Sequence, residues 1–148
     1  MQLERFHQLQ ALIKQAFQEK EFRLARNLAL EYLDLANSNK KNWNYGNAIH
    51  HANLVLGRIA LQEGRIAAAK TYLIKAGQTI GSPQLNSFGP NMCLAKELLE
   101  IEEDIIVLEY LDLCKLFWFK IFSWFKIRKW KRIIEAGGIP DFKAHLNY

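Results

Sequence analysis

Two adjacent histidines, His50 and His51, and two cysteines, Cys93 and Cys114, are the residues of this sequence best suited to metal binding or nucleophilic catalysis. Side chains of neighbouring helical residues diverge by about 100°, so the two imidazoles cannot chelate one metal ion as an i, i+4 pair does. The cysteines form no C-x-x-C motif and no ligand spacing with a histidine. We therefore predict no metal, no cofactor, histidines with local hydrogen bonds in a helix, and reduced core cysteines, with a redox pair as the alternative.

The sequence motifs of common enzyme classes are missing. The sequence contains no phosphate-binding glycine loop, no G-x-S-x-G elbow and no H-E-x-x-H motif. An enzyme that uses His50 or His51 as a base would need a pocket that also holds a nucleophile or a substrate group. The sequence favours a non-catalytic protein.

The composition is typical of one globular domain. The chain has 148 residues, half of them hydrophobic, and its few glycines and prolines fall between apolar segments. A chain of this length and hydrophobic content buries enough apolar surface for one proper core. The N-terminal segment has no continuous apolar run of the kind a signal peptide needs, and together with the two unpaired cysteines this predicts a cytoplasmic protein.

Apolar residues that recur about every 3.6 positions predict amphipathic helices along the chain. We expect helical hairpins over about residues 2–36, 43–78 and 90–117, a capping helix over about 118–136 and a tail over 137–148. The polar run 37–42 predicts a surface loop, and residues 77–89 predict an ordered irregular loop. Pro90 suits the first turn of the next helix. The expected fold is a single all-α domain over residues 1–148.

Three more contacts follow from these helices. If the two helices of the third hairpin pair in antiparallel fashion, Cys93 and Cys114 lie about equally far from their turn and are neighbours. Residues 105–117 are apolar on more than one face, so this helix is covered by the rest of the chain or by a second copy in a homo-oligomer. In the tail, Phe142, Leu146 and Tyr148 are expected to dock onto the domain.

Residues 48–76 form the most regular part of the sequence. Small residues at Gly57 and Ala69 permit close approach of two helix backbones, Leu56 and Leu73 fill the space beside them, and Gly64 marks the turn. This pattern resembles a hairpin of the tetratricopeptide-repeat (TPR) family, and the resemblance extends more loosely to residues 13–32 and 91–117. It implies a right-handed superhelix of stacked antiparallel hairpins with a C-terminal capping helix.

TPR proteins bind peptides or proteins on the concave face built from the first helix of each hairpin. Carried onto this sequence, the resemblance implies a partner-binding site made of Asn44, Tyr45, Asn47, His51, Leu54, Arg58, Leu61 and Gln62. The lysine and asparagine with which the family clamps a peptide carboxylate are replaced here, so no chaperone-tail ligand is implied. The whole pattern is also similar to small bacterial helical-repeat proteins. By analogy with small bacterial immunity proteins, the partner could be a toxin whose active site is covered.

A basic aromatic segment spans residues 115–132 and contains no acidic residue. Its seven basic residues are Lys115, Lys120, Lys126, Arg128, Lys129, Lys131 and Arg132. Lysines interrupt its apolar residues too often for a transmembrane helix. The main prediction is a helix that caps the core, with lysine stems along the surface. The alternatives are a peripheral membrane surface, or a surface for nucleic acid or an acidic protein.

Overall fold

In a computed structural model that describes residues 2–147, the chain folds into packed helices, and this part of it contains no β-strand. The prediction of an all-α fold is therefore confirmed. In chain order the helices are α1 (Gln2–Gln18), α2 (Phe22–Ser38), α3 (Tyr45–Gln62), α4 (Ile66–Gly77), α5 (Pro83–Phe88), α6 (Cys93–Leu99), α7 (Asp104–Cys114) and α8 (Ser123–Glu135), followed by a 3-10 turn at Lys143–Leu146.

Consecutive long helices pack as antiparallel pairs. In the first pair, the rings of Phe17 and Phe22 meet beside the turn, and Arg5 near the start of α1 binds Glu31 in α2. In the second pair, α3 and α4 run back along each other from the turn at Gly64. α2 also packs on α3, and α4 packs on α7. α3 therefore lies between the two ends of the molecule.

The contact between α3 and α4 depends on missing side-chain bulk, as the sequence predicts. Ala69 is fully buried, and a Cβ atom added to Gly57 would lie 3.4 Å from the carbonyl oxygen of Ala69. The same Cβ atom would overlap Cδ2 of Leu94 on α6. Gly57 therefore allows close approach of two neighbouring helices.

The three hairpin turns share one backbone geometry. Lys20, Gly64 and Glu102 each adopt a left-handed conformation, with φ of 62°, 73° and 63°. The backbone N–H of each donates to the carbonyl three residues earlier, and the N–H of the following residue donates to the carbonyl five residues before it. This pair of bonds is the Schellman motif, which ends a helix by satisfying its last carbonyl groups. The same type of stop thus precedes α2, α4 and α7.

The apolar core divides into two clusters that meet at α3. One cluster lies between α1, α2 and α3, and the other joins α3 and α4 to α6, α7, α8 and the C-terminal segment. Phe142 is buried in the second cluster and Leu146 packs against it, whereas Tyr148 lies outside the described residues. The expected docking of the tail is therefore seen at Phe142 and Leu146.

The connection between the second and third hairpins differs from the prediction. The irregular loop expected over residues 77–89 contains the short helix α5, whose first N–H groups are capped: Oγ of Ser82 accepts a hydrogen bond from the N–H of Leu85. The next helix begins at Cys93, three residues after Pro90, because Oδ1 of Asn91 accepts the N–H of Cys93. Placing Pro90 in the first turn of that helix was wrong.

The capping helix also begins later than predicted. α7 ends at Cys114 and α8 begins at Ser123, so residues 115–122 form a connection instead of continuous helix. Oγ of Ser123 lies 2.9 Å from the carbonyl oxygen of Trp118 and 2.6 Å from that of Lys120, so its single proton is shared between them and the connection is held in a tight turn. Both cysteines are free thiols; Cys114 is buried in α7, and Cys93 is half-buried and bonds to the C-terminal segment.

Candidate partner-binding cleft

A cleft of about 1010 Å³ lies between α1 and α3. The beginning of α6 and the C-terminal residues close one end of it. Its polar lining comes from His7, Gln10, Lys14, Gln18 and Lys20 on the α1 side, His51, Arg58 and Gln62 on α3, and Asn91, Cys93 and Asn147 at the closed end. Its apolar lining includes Ile13, Phe17, Phe22, Leu54 and Val55. The lining thus combines apolar and polar side chains.

Four of the residues predicted to bind a partner line this cleft: His51, Leu54, Arg58 and Gln62. They follow one another at intervals of three or four residues, so they share one face of α3. Leu54 and His51 are buried at the base, Arg58 is half-buried, and Gln62 is exposed at the open end. Leu61 does not line the cleft; it is half-buried and packs against the apolar core.

Asn44 and Asn47, also predicted to contact a partner, are buried inside the fold. The amide of Asn44 donates to the carbonyl of Phe6 over 3.1 Å and accepts from the hydroxyl of Tyr32 over 3.1 Å. The amide of Asn47 accepts from Ser82 over 2.5 Å. These two residues fix the start of α3 against α1, α2 and the turn before α5, while Tyr45 beside them packs against the first apolar cluster.

Arg58 contacts one side chain of α1 and one side chain of α6. Its guanidinium lies 4.3 Å from the centre of the Phe17 ring, and its Nε forms an ion pair with Glu97 on α6. Burial raises the pKa of Glu97, an effect that the nearby guanidinium opposes. Arg58 therefore connects α3 to α1 and α6 at the cleft wall.

The cleft lining is cationic. It includes Lys14, Lys20 and Arg58, and among the described residues that line it none is Asp or Glu. Glu97, next to the cleft, is engaged by Arg58. Nζ of Lys14 donates to the carbonyl oxygen of Asn147 over 2.9 Å, so the lysine carries its charge at the rim beside the C-terminal segment. A ligand with carboxylates and apolar groups would match this lining.

His51 and Cys93 line the same cleft. In an enzyme, His51 would be the candidate base and Cys93 the candidate nucleophile. Burial, with a contribution from His50, holds the pKa of His51 well below its usual value, so its imidazole is neutral at neutral pH. Burial raises the pKa of the Cys93 thiol, and Sγ donates to the carbonyl of Leu146 over 3.3 Å. The thiol is thus protonated, whereas a cysteine nucleophile is a thiolate.

His50 lies in the core and connects distant parts of the chain. Its Nε2 accepts the backbone N–H of Asn91 over 3.0 Å, so its Nδ1 carries the proton and donates to the carbonyl of Ala76 over 3.1 Å. Burial lowers the pKa of His50 to about 4. Local hydrogen bonds were predicted for this histidine, but both partners lie outside its own helix.

The basic residues of segment 115–132 have different surroundings. Lys115 and Lys131 both form ion pairs with Asp112. Lys120, Lys126 and Arg128 each lie over an aromatic ring, of Phe88, Trp118 and Trp124 respectively, while Lys129 and Arg132 are exposed. α8 itself packs against the core through Ile127, Trp130 and Ile134. Its buried stripe is apolar, and its basic residues lie outside that stripe.

Within residues 2–147, no three His, Cys, Asp or Glu side chains are grouped as metal ligands would be. None of the described helices combines the length and the apolar character needed to cross a bilayer.

Comparison of this chain with protein-family models, curated proteins and solved structures gives no match.

Proposed function

We propose that this protein is a non-catalytic, TPR-like helical-repeat module that binds an acidic, partly apolar segment of a partner protein in the cleft between α1 and α3. The observation that carries the proposal is the lining of the cleft. It combines Lys14, Lys20 and Arg58 with apolar side chains and includes no carboxylate among the described residues. Charge complementarity of this kind selects partners and speeds their association.

Support for a repeat architecture comes from the shared turn geometry. Lys20 and Gly64 occupy the same place in their hairpins and are 44 residues apart, as are the buried alanines Ala25 and Ala69. Equivalent turns and equivalent small residues are what stacked helical hairpins require. We take the stack to be the right-handed superhelix of TPR proteins, in which α1, α3 and α6 are the first helices of successive hairpins.

The dimensions of the cleft favour a peptide over a small metabolite. The lining residues on the α1 side extend from His7 to Lys20, and a helix of that length spans roughly 20 Å. An extended segment of about six residues covers the same distance. The cleft is open along this length, so a segment of a larger protein can enter from the side.

The test begins with random peptides displayed on phage and selected against the immobilised protein. Enrichment of sequences that combine Asp or Glu with apolar residues is expected. A selected synthetic peptide is then titrated by fluorescence anisotropy. Lys14→Glu should weaken its binding by about tenfold, because an attractive charge becomes repulsive.

Lys40→Glu is the matched control, since Lys40 is exposed and lies outside the cleft lining. It should leave the affinity unchanged. Selected peptides without acidic residues, or equal losses in both variants, would refute the proposed site.

A further inference from the structure

Large apolar side chains project into solvent around the connection between α7 and α8, and five of them are more than half exposed. Their exposed fractions are 72% for Leu116, 67% for Phe119, 81% for Ile121, 75% for Phe122 and 58% for Phe125. We call these five residues the apolar tip. Single exposed apolar residues are common on soluble proteins, but a cluster of this kind marks an interaction surface.

The backbone under the apolar tip is fixed in place. Trp118 is 6% exposed, and its ring stacks on Trp130 with 5.9 Å between the centroids. Oγ of Ser123 binds the carbonyl of Trp118, and the N–H of Phe119 donates to the carbonyl of Asn86 over 3.3 Å. The side chains of the tip therefore point outward from an anchored turn.

The surface around the apolar tip is positively charged. Residues 115–132 contain no acid, and Asp112, just before this segment, forms ion pairs with Lys115 and Lys131. Lys120 and Lys126 lie over aromatic rings, and Lys129 is exposed on α8. Because a cation over a ring face keeps its positive charge, these lysines can still attract anions. The tip is thus bordered by cations.

We propose that the apolar tip and its bordering lysines form a docking surface for a lipid bilayer that contains anionic lipids. The tip would enter the boundary between headgroups and acyl chains, and the lysines would lie at the level of the phosphates. Aromatic and aliphatic side chains next to lysines favour this interface, and each lysine near an anionic surface adds to the attraction. The protein would bind the membrane peripherally, at a surface distinct from the cleft.

Single-stranded nucleic acid fits the apolar tip less well. The most exposed residue of the tip, Ile121, is aliphatic, as is Leu116, and neither has the aromatic face on which a base stacks. The boundary between headgroups and acyl chains accepts aliphatic as well as aromatic side chains. The composition of the tip therefore favours lipid.

A second copy of the chain is also a poorer fit. A symmetric dimer through this surface would bring identical regions together, and Lys120, Lys126 and Lys129 of both copies would be close. Such like charges repel each other, whereas an anionic bilayer attracts them. The charge around the tip therefore argues for a negatively charged partner.

Co-sedimentation with vesicles tests the proposal on the full chain. We expect binding to an equimolar mixture of phosphatidylglycerol and phosphatidylcholine at low salt, much weaker binding to phosphatidylcholine alone, and a decrease as salt is added. Ile121→Ser/Phe122→Ser should lower the partition coefficient for the anionic vesicles by at least about tenfold, because two inserting side chains are lost.

Leu30→Ser/Ile105→Ser is the matched control, since it removes two exposed apolar side chains from α2 and the start of α7. It should bind the vesicles as the unmodified protein does. Circular dichroism checks that both double variants fold. As a second test, Lys120→Gln/Lys129→Gln should lower the partition coefficient for the anionic vesicles by about tenfold or more.

Three results would overturn the proposal. The first is no sedimentation with anionic vesicles at low salt, and the second is equal loss in the control variant. The third is binding to a single-stranded oligonucleotide, or self-association in sedimentation velocity, that requires Ile121 and Phe122 while vesicles are not bound. Each result is independent of peptide binding in the cleft.

Discussion

The backbone N–H of Asn91 donates a hydrogen bond to Nε2 of His50 over 3.0 Å. On the other side of this residue, the carbonyl oxygen of Asn91 accepts the hydroxyl of Tyr110 over 2.7 Å. The segment that leads into α6 is thus fixed between α3 and α7, and the imidazole can serve as acceptor only while it is neutral. Protonation of His50 would remove the bond from the N–H of Asn91 to Nε2 and place a positive charge in the core.

Stability should decrease as the pH falls from about 6.5 to about 4. Burial lowers the pKa of His50 to about 4, and it also lowers the pKa values of His51 and His145. In this window the unfolded chain binds more protons than the folded chain, so lowering the pH favours unfolding. His50 alone should account for a loss of about 3 kcal/mol across the window. Urea unfolding at several pH values measures this dependence.

His50→Gln should reduce the dependence of stability on pH, because glutamine retains a donor and an acceptor but does not titrate in this range. The variant should also be less stable at pH 7, by about 1–3 kcal/mol, since the geometry of the two hydrogen bonds changes. His7→Gln, at an exposed histidine of α1, controls for the loss of an imidazole. An unaltered pH dependence in His50→Gln would show that other groups cause it.

Gly46→Ala should destabilise the fold by about 3 kcal/mol or more. A Cβ atom at Gly46 would overlap the carbonyl oxygen of Gly81, and a backbone atom cannot move aside as the end of a side chain can. Relieving this overlap would move α3 away from the turn before α5, and that movement would strain the hydrogen bond that Oγ1 of Thr79 donates to the carbonyl of Gly46 over 2.7 Å. Thermal and urea unfolding measure the effect.

Gly64→Ala is the comparison for this substitution. Nothing lies within 4 Å of a Cβ atom at Gly64, but its φ is 73°, so the cost there is backbone strain alone, about 1 kcal/mol. A Gly46→Ala variant no less stable than Gly64→Ala would contradict the close contact between α3 and the turn before α5.

Lys20→Gly and Glu102→Gly should each stabilise the protein by about 1 kcal/mol. Both residues hold the left-handed conformation that glycine adopts without steric cost, as Gly64 does in the second hairpin. Glu100→Gly is the control, because Glu100 has a right-handed φ of −63°. Glycine is unfavourable in a helical conformation, so this substitution should destabilise the protein. If all three variants were destabilised alike, the left-handed conformation of Lys20 and Glu102 would not cost the protein stability.

Asn44→Ala should cost about 2–3 kcal/mol of stability. The substitution removes the bonds to Phe6 and Tyr32 and leaves a buried carbonyl and hydroxyl without this partner. Asn27→Ala, at an exposed position of α2, should change stability by less than about 0.5 kcal/mol. An Asn44→Ala protein of full stability would contradict a structural role for this residue.

The helical hairpins were predictable because their signals are local. Apolar residues at helical spacing gave α1 to α4, and Gly64 marked the second turn because left-handed backbone favours glycine. The short helix α5 carries too few residues to show a period, so only its cap, Ser82, together with Pro83 could have indicated it. The connection after α7 contains the buried Trp118, which contacts Trp130 and Ser123, and a sequence pattern does not report such tertiary contacts.

The site was predictable only along α3. His51, Leu54, Arg58 and Gln62 share a helical face, and the resemblance to TPR proteins selected that face. Asn44 and Asn47 look like surface residues in the sequence because a polar side chain at a helix start does not reveal its partner. Asn44 binds the carbonyl of Phe6, 38 residues away, and no local pattern encodes such a contact. Lys14 in α1 and Lys20 in the turn after it were missed for the same reason.

The bond between Lys14 and Asn147 joins residues that are 133 positions apart. During synthesis, α1, α2 and α3 leave the ribosome long before residues 142–147 do. Until those residues emerge, the space between α1 and α3 lacks the part of its lining that Leu146 and Asn147 supply. Completion of the cleft is therefore a late folding event.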